Sequence, residues 1–323
     1  AQDGSLVLHA PDGVMWTISA DELIDHHSDT RPFVRLSDEE VAERLLAELP
    51  PGFEVYETQH YLICHNTSLA YARWCGGLYE RLYKAFINYW SRRNFELEEP
   101  DYRLVAIVFA DVNGFREFAV QEVGPGAEAL IGYYSLETNR VTMFDVTGIQ
   151  GLRQPGDRRG SMESINRMLS RPGAGWTVAT IVHEATHQLA FNSGLQTRYA
   201  DIPLWLSEGI AVYFETPDLS RRSGWRAIGE VNPVRLARFL DYLRRRPERS
   251  LESLISADER LRDPATSKGA YPEAYDAYLK RMAQKKPQVW DDPQTRLAEF
   301  AEAFGPDLRQ LDAELVRYFA KNP

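Results

Sequence analysis

The pattern of the chain changes at Trp176, and that change constrains the fold more than any other feature. Upstream, short apolar or alternating runs dominate. Leu104-Val-Ala-Ile-Val-Phe109 has the length and β-branching of a buried strand, and residues 5 to 19 read as a hairpin turning at Pro11-Asp12-Gly13. Phe53 to His65 alternates like a hairpin or long strand pair, and Ile131 to Phe144 reads as a second hairpin turning at Glu137-Thr-Asn-Arg140. Helical periodicity is rarer in this half. It follows Ser37, where Asp38, Glu39 and Glu40 put acids at a helix start and Val41, Leu45 and Leu46 form the stripe, and it returns over Leu69 to Trp90 and Phe115 to Val120. Residues 147 to 175, rich in Gly, Arg, Ser and Pro, read as a mobile loop. Beyond Trp176 the spacing predicts helices over 176–192, 203–215, 232–245, 271–284, 294–303 and 306–320. Strands first and helices second predict an α+β fold, with a mixed or antiparallel sheet ahead of a mostly helical second half, rather than a doubly wound parallel sheet. Pro50-Pro51-Gly52 sets one boundary and the change at Trp176 a second, which divide the chain into an acidic accessory region over 1–50, a sheet-containing part over 51–175 and a helical part over 176–323.

Charge excludes one class of partner. Of the formal −10, all is carried by residues 1 to 60, where thirteen Asp and Glu face Arg31, Arg35 and Arg44, so the remainder is balanced and nucleic acid is not an expected partner. No apolar run reaches the roughly 20 residues of a transmembrane span. The start at Ala1-Gln2-Asp3 without Met fits a trimmed N-terminus, and a periplasmic or secreted location is expected. Cys64 and Cys75 are too few for a disulfide framework and read as two buried thiols, with a single bridge as the alternative.

Chemistry concentrates just after the change of pattern. Thr180-Ile-Val-His183-Glu184-Ala-Thr-His187-Gln188 contains H-E-x-x-H within a largely apolar helix. The i, i+4 spacing places both imidazoles one turn apart on one face, able to reach one tetrahedral Zn2+, while Glu184, offset by one residue, is free to hold a water and take its proton. A catalytic zinc takes three protein ligands. Glu208, in the apolar helical run Trp205-Leu-Ser-Glu208-Gly-Ile-Ala, is the candidate third, because a carboxylate there is costly unless neutralised. Glu215, two turns further on the same face, is the reserve ligand or a salt-bridge partner.

His183-Glu184-Ala-Thr-His187 followed by Trp205-Leu-Ser-Glu208-Gly resembles the gluzincin metallopeptidases, which include aminopeptidase N and thermolysin. Over about Tyr56 to Phe319 the chain also resembles a bacterial family of peptidase-MA-like proteins of unassigned function. The carrying stretches are Thr58-Gln-His-Tyr-Leu-Ile-Cys64, Phe109-Ala-Asp-Val-Asn-Gly-Phe-Arg-Glu-Phe118, Gly132-Tyr-Tyr134, Val182-His-Glu-Ala-Thr-His-Gln188 and the string around Glu208. The resemblance implies a zincin-like fold and a zinc peptidase acting on peptide or protein, with Glu184 as general base. The string Tyr271-Pro-Glu-Ala is similar to the Tyr-x-x-Gly at which aminopeptidase N relatives place a catalytic tyrosine, which makes Tyr271 the first candidate for oxyanion stabilisation and Tyr275 the second.

The departures carry information too. Position 212, where thermolysin-like enzymes have an acidic residue behind the metal, is Val, so another group must orient the histidines. The G-x-M-x-N string of aminopeptidases is absent, which favours an endopeptidase. Arg140-Val-Thr-Met-Phe144 is the candidate edge strand for pairing with substrate backbone. Two other readings stay open: a non-catalytic binding or scaffold protein that keeps the gluzincin shape, and a zinc hydrolase of small non-peptide amides.

Overall fold

Burial on both faces marks the strands at the centre of the sheet. In the computed structural model, which describes residues 5–27, 29–219, 224–246, 249–256, 258, 278–279, 281–286 and 290–321, five strands form one sheet. A separate hairpin pairs β1 (Leu6–His9) with β2 (Met15–Ile18). The five are β3 (Glu54–Glu57), β4 (Tyr61–His65), β5 (Leu104–Phe109), β6 (Gly132–Tyr134) and β7 (Arg140–Phe144), in spatial order β3-β4-β5-β7-β6. The outer pairs are antiparallel, as hairpins must be, but β4, β5 and β7 run parallel to one another. The fold is α+β with a mixed sheet, as the segregation of patterns predicts. Its centre nonetheless uses helical crossovers, because every residue of β4, β5 and β7 is buried and both faces need covering.

The crossovers are α2 (Leu69–Ser91), between β4 and β5, and α3 (Val112–Val123), after β5. Ser68 caps α2 through Tyr71 N–H. Asp111 caps α3 through the N–H groups of Asn113 and Gly114, which starts that helix three residues ahead of the Phe115 expected from the sequence. A capping box between Ser37 and Glu40 opens α1 (Asp38–Glu48), whose Val41 and Leu45 enter the core beside β4. Cys64 and Cys75 are buried and unbridged.

Two expectations need correction. Arg140–Phe144 is not an edge strand: β7 lies between β5 and β6, so among the described residues the outermost strand on that side of the sheet is β6. Arg140 and Thr142 give β7 the look of a half-solvated strand, yet Thr142 is fully buried and Arg140 is held by Glu48 at 2.7 Å. Nor is 147–175 a featureless loop. Ser161 caps a helix, α4 (Met162–Leu169), whose Ile165, Met168 and Leu169 are buried against the rest of the core.

The second half is helical. α5 (Gly175–Asn192) is followed by α6 (Leu204–Phe214), α7 (Pro233–Leu243), α8 (Ser250–Ser256), α9 (Pro293–Phe304) and α10 (Leu308–Lys321). α8 was not expected from the sequence. Tyr271, Tyr275 and most of the helix expected over 271–284 lie outside the described residues. Among the described residues no helix is long and apolar enough to cross a membrane.

α5 packs on α2, on β6 and β7, and on α6. Val178, Ile181, Val182, Ala185 and Leu189 bury its core side. The start of α6 is anchored from downstream. Arg296 on α9 pairs with Asp201 and Asp258, and Asp258 Oδ1 accepts the Leu204 N–H at 3.0 Å.

Candidate metal centre

The i, i+4 spacing on α5 puts His183 and His187 side by side, and α6 crosses beside them with Glu208. The two Nε2 atoms are 3.2 Å apart. Glu208 Oε2 is 3.1 Å from His183 Nε2, and its Oε1 is 3.4 Å from His187 Nε2. Ligand bonds of ~2.0–2.1 Å at tetrahedral angles imply edges of about 3.3–3.4 Å between ligand atoms. The nitrogen pair and each nitrogen's nearer carboxylate oxygen are at about that spacing, and one ligand atom from each residue lies within 4.8 Å of the others. The imidazole side chains are 8% and 11% exposed, whereas that of Glu208 is 35% exposed, so the triad opens to solvent on the Glu208 side.

Both rings are backed. His183 Nδ1 lies 3.0 Å from Glu215 Oε2, and a carboxylate can only accept, so Nδ1 carries hydrogen and Nε2 is left as the ring atom that can face an ion. Glu215, with no exposed surface, is held in turn by Arg235 Nε at 2.6 Å and Asn232 Nδ2 at 2.8 Å, both from the start of α7. This is the orienting group that Val212 cannot supply. It sits seven residues beyond Glu208, on the same face of the helical run, and acts as the salt-bridge partner. Behind His187, Ser207 Oγ lies 3.3 Å from Nδ1 and donates to Gln196 Oε1 at 3.2 Å. Ser207 is legible in the sequence as a polar interruption of the apolar run. Gln196 carries no such mark.

Glu184 is on the open side, offset from the triad. Ser135 N–H donates inward to Arg140 O, so by the alternation of a strand the Tyr134 N–H points out from the edge of β6, where Glu184 Oε2 accepts it at 3.0 Å. The general-base candidate is thus fixed between the two histidines and the sheet edge.

Electrostatics favour a cation. Glu184, Glu208 and Glu215 face Arg235 and two imidazoles, which leaves a formal −2 with the rings neutral, a balance that a divalent ion closes. Without an ion the proton takes that place. Burial works against a charged His183, but hydrogen bonds to Glu208 and Glu215 outweigh it and push the ring up to about 10. Burial alone would raise Glu208, yet the two imidazoles hold it well below the usual carboxylate range. Burial pushes Glu184 upward, against the pull of the same histidines. If Glu215 sets the His183 ring, Glu215→Ala weakens zinc binding about 10–100-fold in a chelator competition, with Glu208 still in place. Unchanged affinity would show that Glu215 is structural only.

A family described as "Protein of unknown function (DUF1570)" matches residues 177–288, a span that holds His183, Glu184, His187, Glu208, Glu215 and Arg235. No curated protein matches the chain, and no solved structure does.

Proposed function

We propose that the protein is a zinc-dependent endopeptidase in which His183, His187 and Glu208 hold the ion and Glu184 is the general base. The observation that supports this reading most is the placing of Glu184: a half-buried carboxylate beside a metal-sized triad, tied to the outward N–H of an edge strand. Zinc bound there supplies Lewis-acid polarisation and lowers the pKa of water. Glu184 takes the proton from the attacking water and hands it to the leaving nitrogen, and burial, by raising its affinity for protons, suits it to the first step. The Tyr134 N–H holds one Glu184 oxygen and leaves the other for that work. β6 has no strand on its outer side among the described residues, so an extended peptide can pair with it next to Glu184. The donor to the oxyanion that forms on the attacked carbonyl is assigned to Tyr271 on sequence grounds alone.

The test is metal analysis of the purified full chain beside His187→Ala, followed by incubation of both with a mixed peptide library and with small amides. The expected result is about one zinc per wild-type chain, little in the variant, and internal peptide cleavage by the loaded protein only. Wild type that stays metal-free after zinc supplementation sinks the metal reading. Loaded wild type that cleaves small amides and no peptide sinks the peptidase reading alone.

A further inference from the structure

The two histidines are backed by chemically different groups. Glu215, behind His183, can only accept a hydrogen bond, so it fixes one proton position. Ser207, behind His187, can donate or accept, and so can the amide of Gln196 behind it. Gln196 reaches this place because Gly194, at φ +75°, turns the chain back at the end of α5, so that Gln196 N–H bonds to Ala190 O at 2.9 Å. The residue is 1% exposed. The Oε1 atom meets Ser207, and Nε2 is buried without a partner among the described residues. Among those residues no bond to Nε2 opposes rotation of the amide, and a half-turn would present Nε2 to Ser207 instead.

We infer that Ser207 and Gln196 are positioning residues of the metal centre, forming a hydrogen-bond relay of reversible direction that sets which ring nitrogen of His187 carries the proton. The inference rests on the metal reading above. With an ion bound, His187 Nε2 must offer a lone pair, so the hydrogen sits on Nδ1 and donation runs from His187 to Ser207 to Gln196 Oε1. With no ion, His187 Nε2 lies 3.2 Å from His183 Nε2 and 3.4 Å from Glu208 Oε1. His183 Nε2 has its own acceptor in Glu208 Oε2 at 3.1 Å, so Oε1 is the acceptor left for His187 and the hydrogen sits on Nε2. Nδ1 then accepts from the Ser207 hydroxyl, which accepts from the turned Gln196 amide. The proton count of His187 is the same in both states; only its position changes. The relay keeps Nδ1 and the Ser207 hydroxyl, both buried, partnered either way, where a fixed acceptor such as Glu215 would leave Nδ1 opposed to it in one state.

The experiment is zinc affinity by chelator competition, combined with ring ¹⁵N shifts of His187 in the full chain labelled at histidine. Wild type is expected to show Nε2–H when metal-free and Nδ1–H when zinc-loaded. Ser207→Ala is expected to lose about 10–100-fold in zinc affinity, and Ser207→Thr, which keeps the hydroxyl, to restore it. Gln196→Glu, whose ionised carboxylate can only accept, is expected to hold the Nδ1–H form with and without zinc. Wild type that binds zinc with one His187 tautomer in both states overturns the relay while leaving the metal centre intact, as does wild-type affinity in Ser207→Ala. Wild type that binds no zinc removes the metal reading and this inference with it.

Discussion

Glu184→Gln is expected to retain about one zinc per chain while losing roughly 10²–10⁴-fold or more of peptide hydrolysis. The amide is nearly isosteric with the carboxylate. Its oxygen can still accept the Tyr134 N–H that holds Glu184 at 3.0 Å, so the edge of β6 and the helix bearing both histidines stay as they are. None of the three metal-facing atoms is touched. What is lost is an atom that can take a proton from water. Measuring metal content and rate on the same preparation separates the roles, and full activity in the loaded variant would refute Glu184 as the base.

The second large effect is on zinc binding as a function of pH. In the metal-free protein the carboxylates of Glu208 and Glu215 push His183 up to about 10, so at neutral pH this ring holds a proton that zinc must displace. A folded value raised above the ordinary 6.5 contributes stability that is complete below 6.5 and is lost as pH rises through about 10. Zinc competes against that same term. Its apparent affinity is therefore expected to climb about tenfold per pH unit, roughly 100-fold between pH 6.5 and 8.5, with about one proton released per ion bound. Calorimetry in buffers of different ionisation enthalpy counts the proton. A flat affinity profile over that range would show that His183 is already neutral before the metal arrives.

Local signals in the sequence carried far. The H-E-x-x-H spacing, the polar pair Ser207-Glu208 inside an apolar run and the acidic start after Ser37 each follow from interactions within a few residues, and the structure brings His183, His187 and Glu208 to one point. Strand order is a different matter. Nothing within Arg140–Phe144 says that β6 will cover it, since Thr142 and Arg140 are buried by partners far along the chain, Arg140 by Glu48 on α1. α4 was hidden for a related reason: Ile165, Met168 and Leu169 stand among scattered apolar positions in a segment otherwise rich in Gly, Arg and Ser, and tertiary packing settles them. Gln196 was illegible because an amide in a connecting segment has no periodicity to betray its neighbour. Glu215 had the spacing but two roles to choose from, and the Nδ1 of His183 decides between them.

The ion pair between Arg296 and Asp201 has a consequence for how the protein is made. Asp201 is 1% exposed, and its guanidinium partner arrives almost a hundred residues later in synthesis. A growing chain on the ribosome can build the sheet and the histidine helix well before that. Until Arg296 emerges, Asp201 and Asp258 at the start of the helix bearing Glu208 lack their shared cation, so the two histidines are in place before the position of Glu208 is secured.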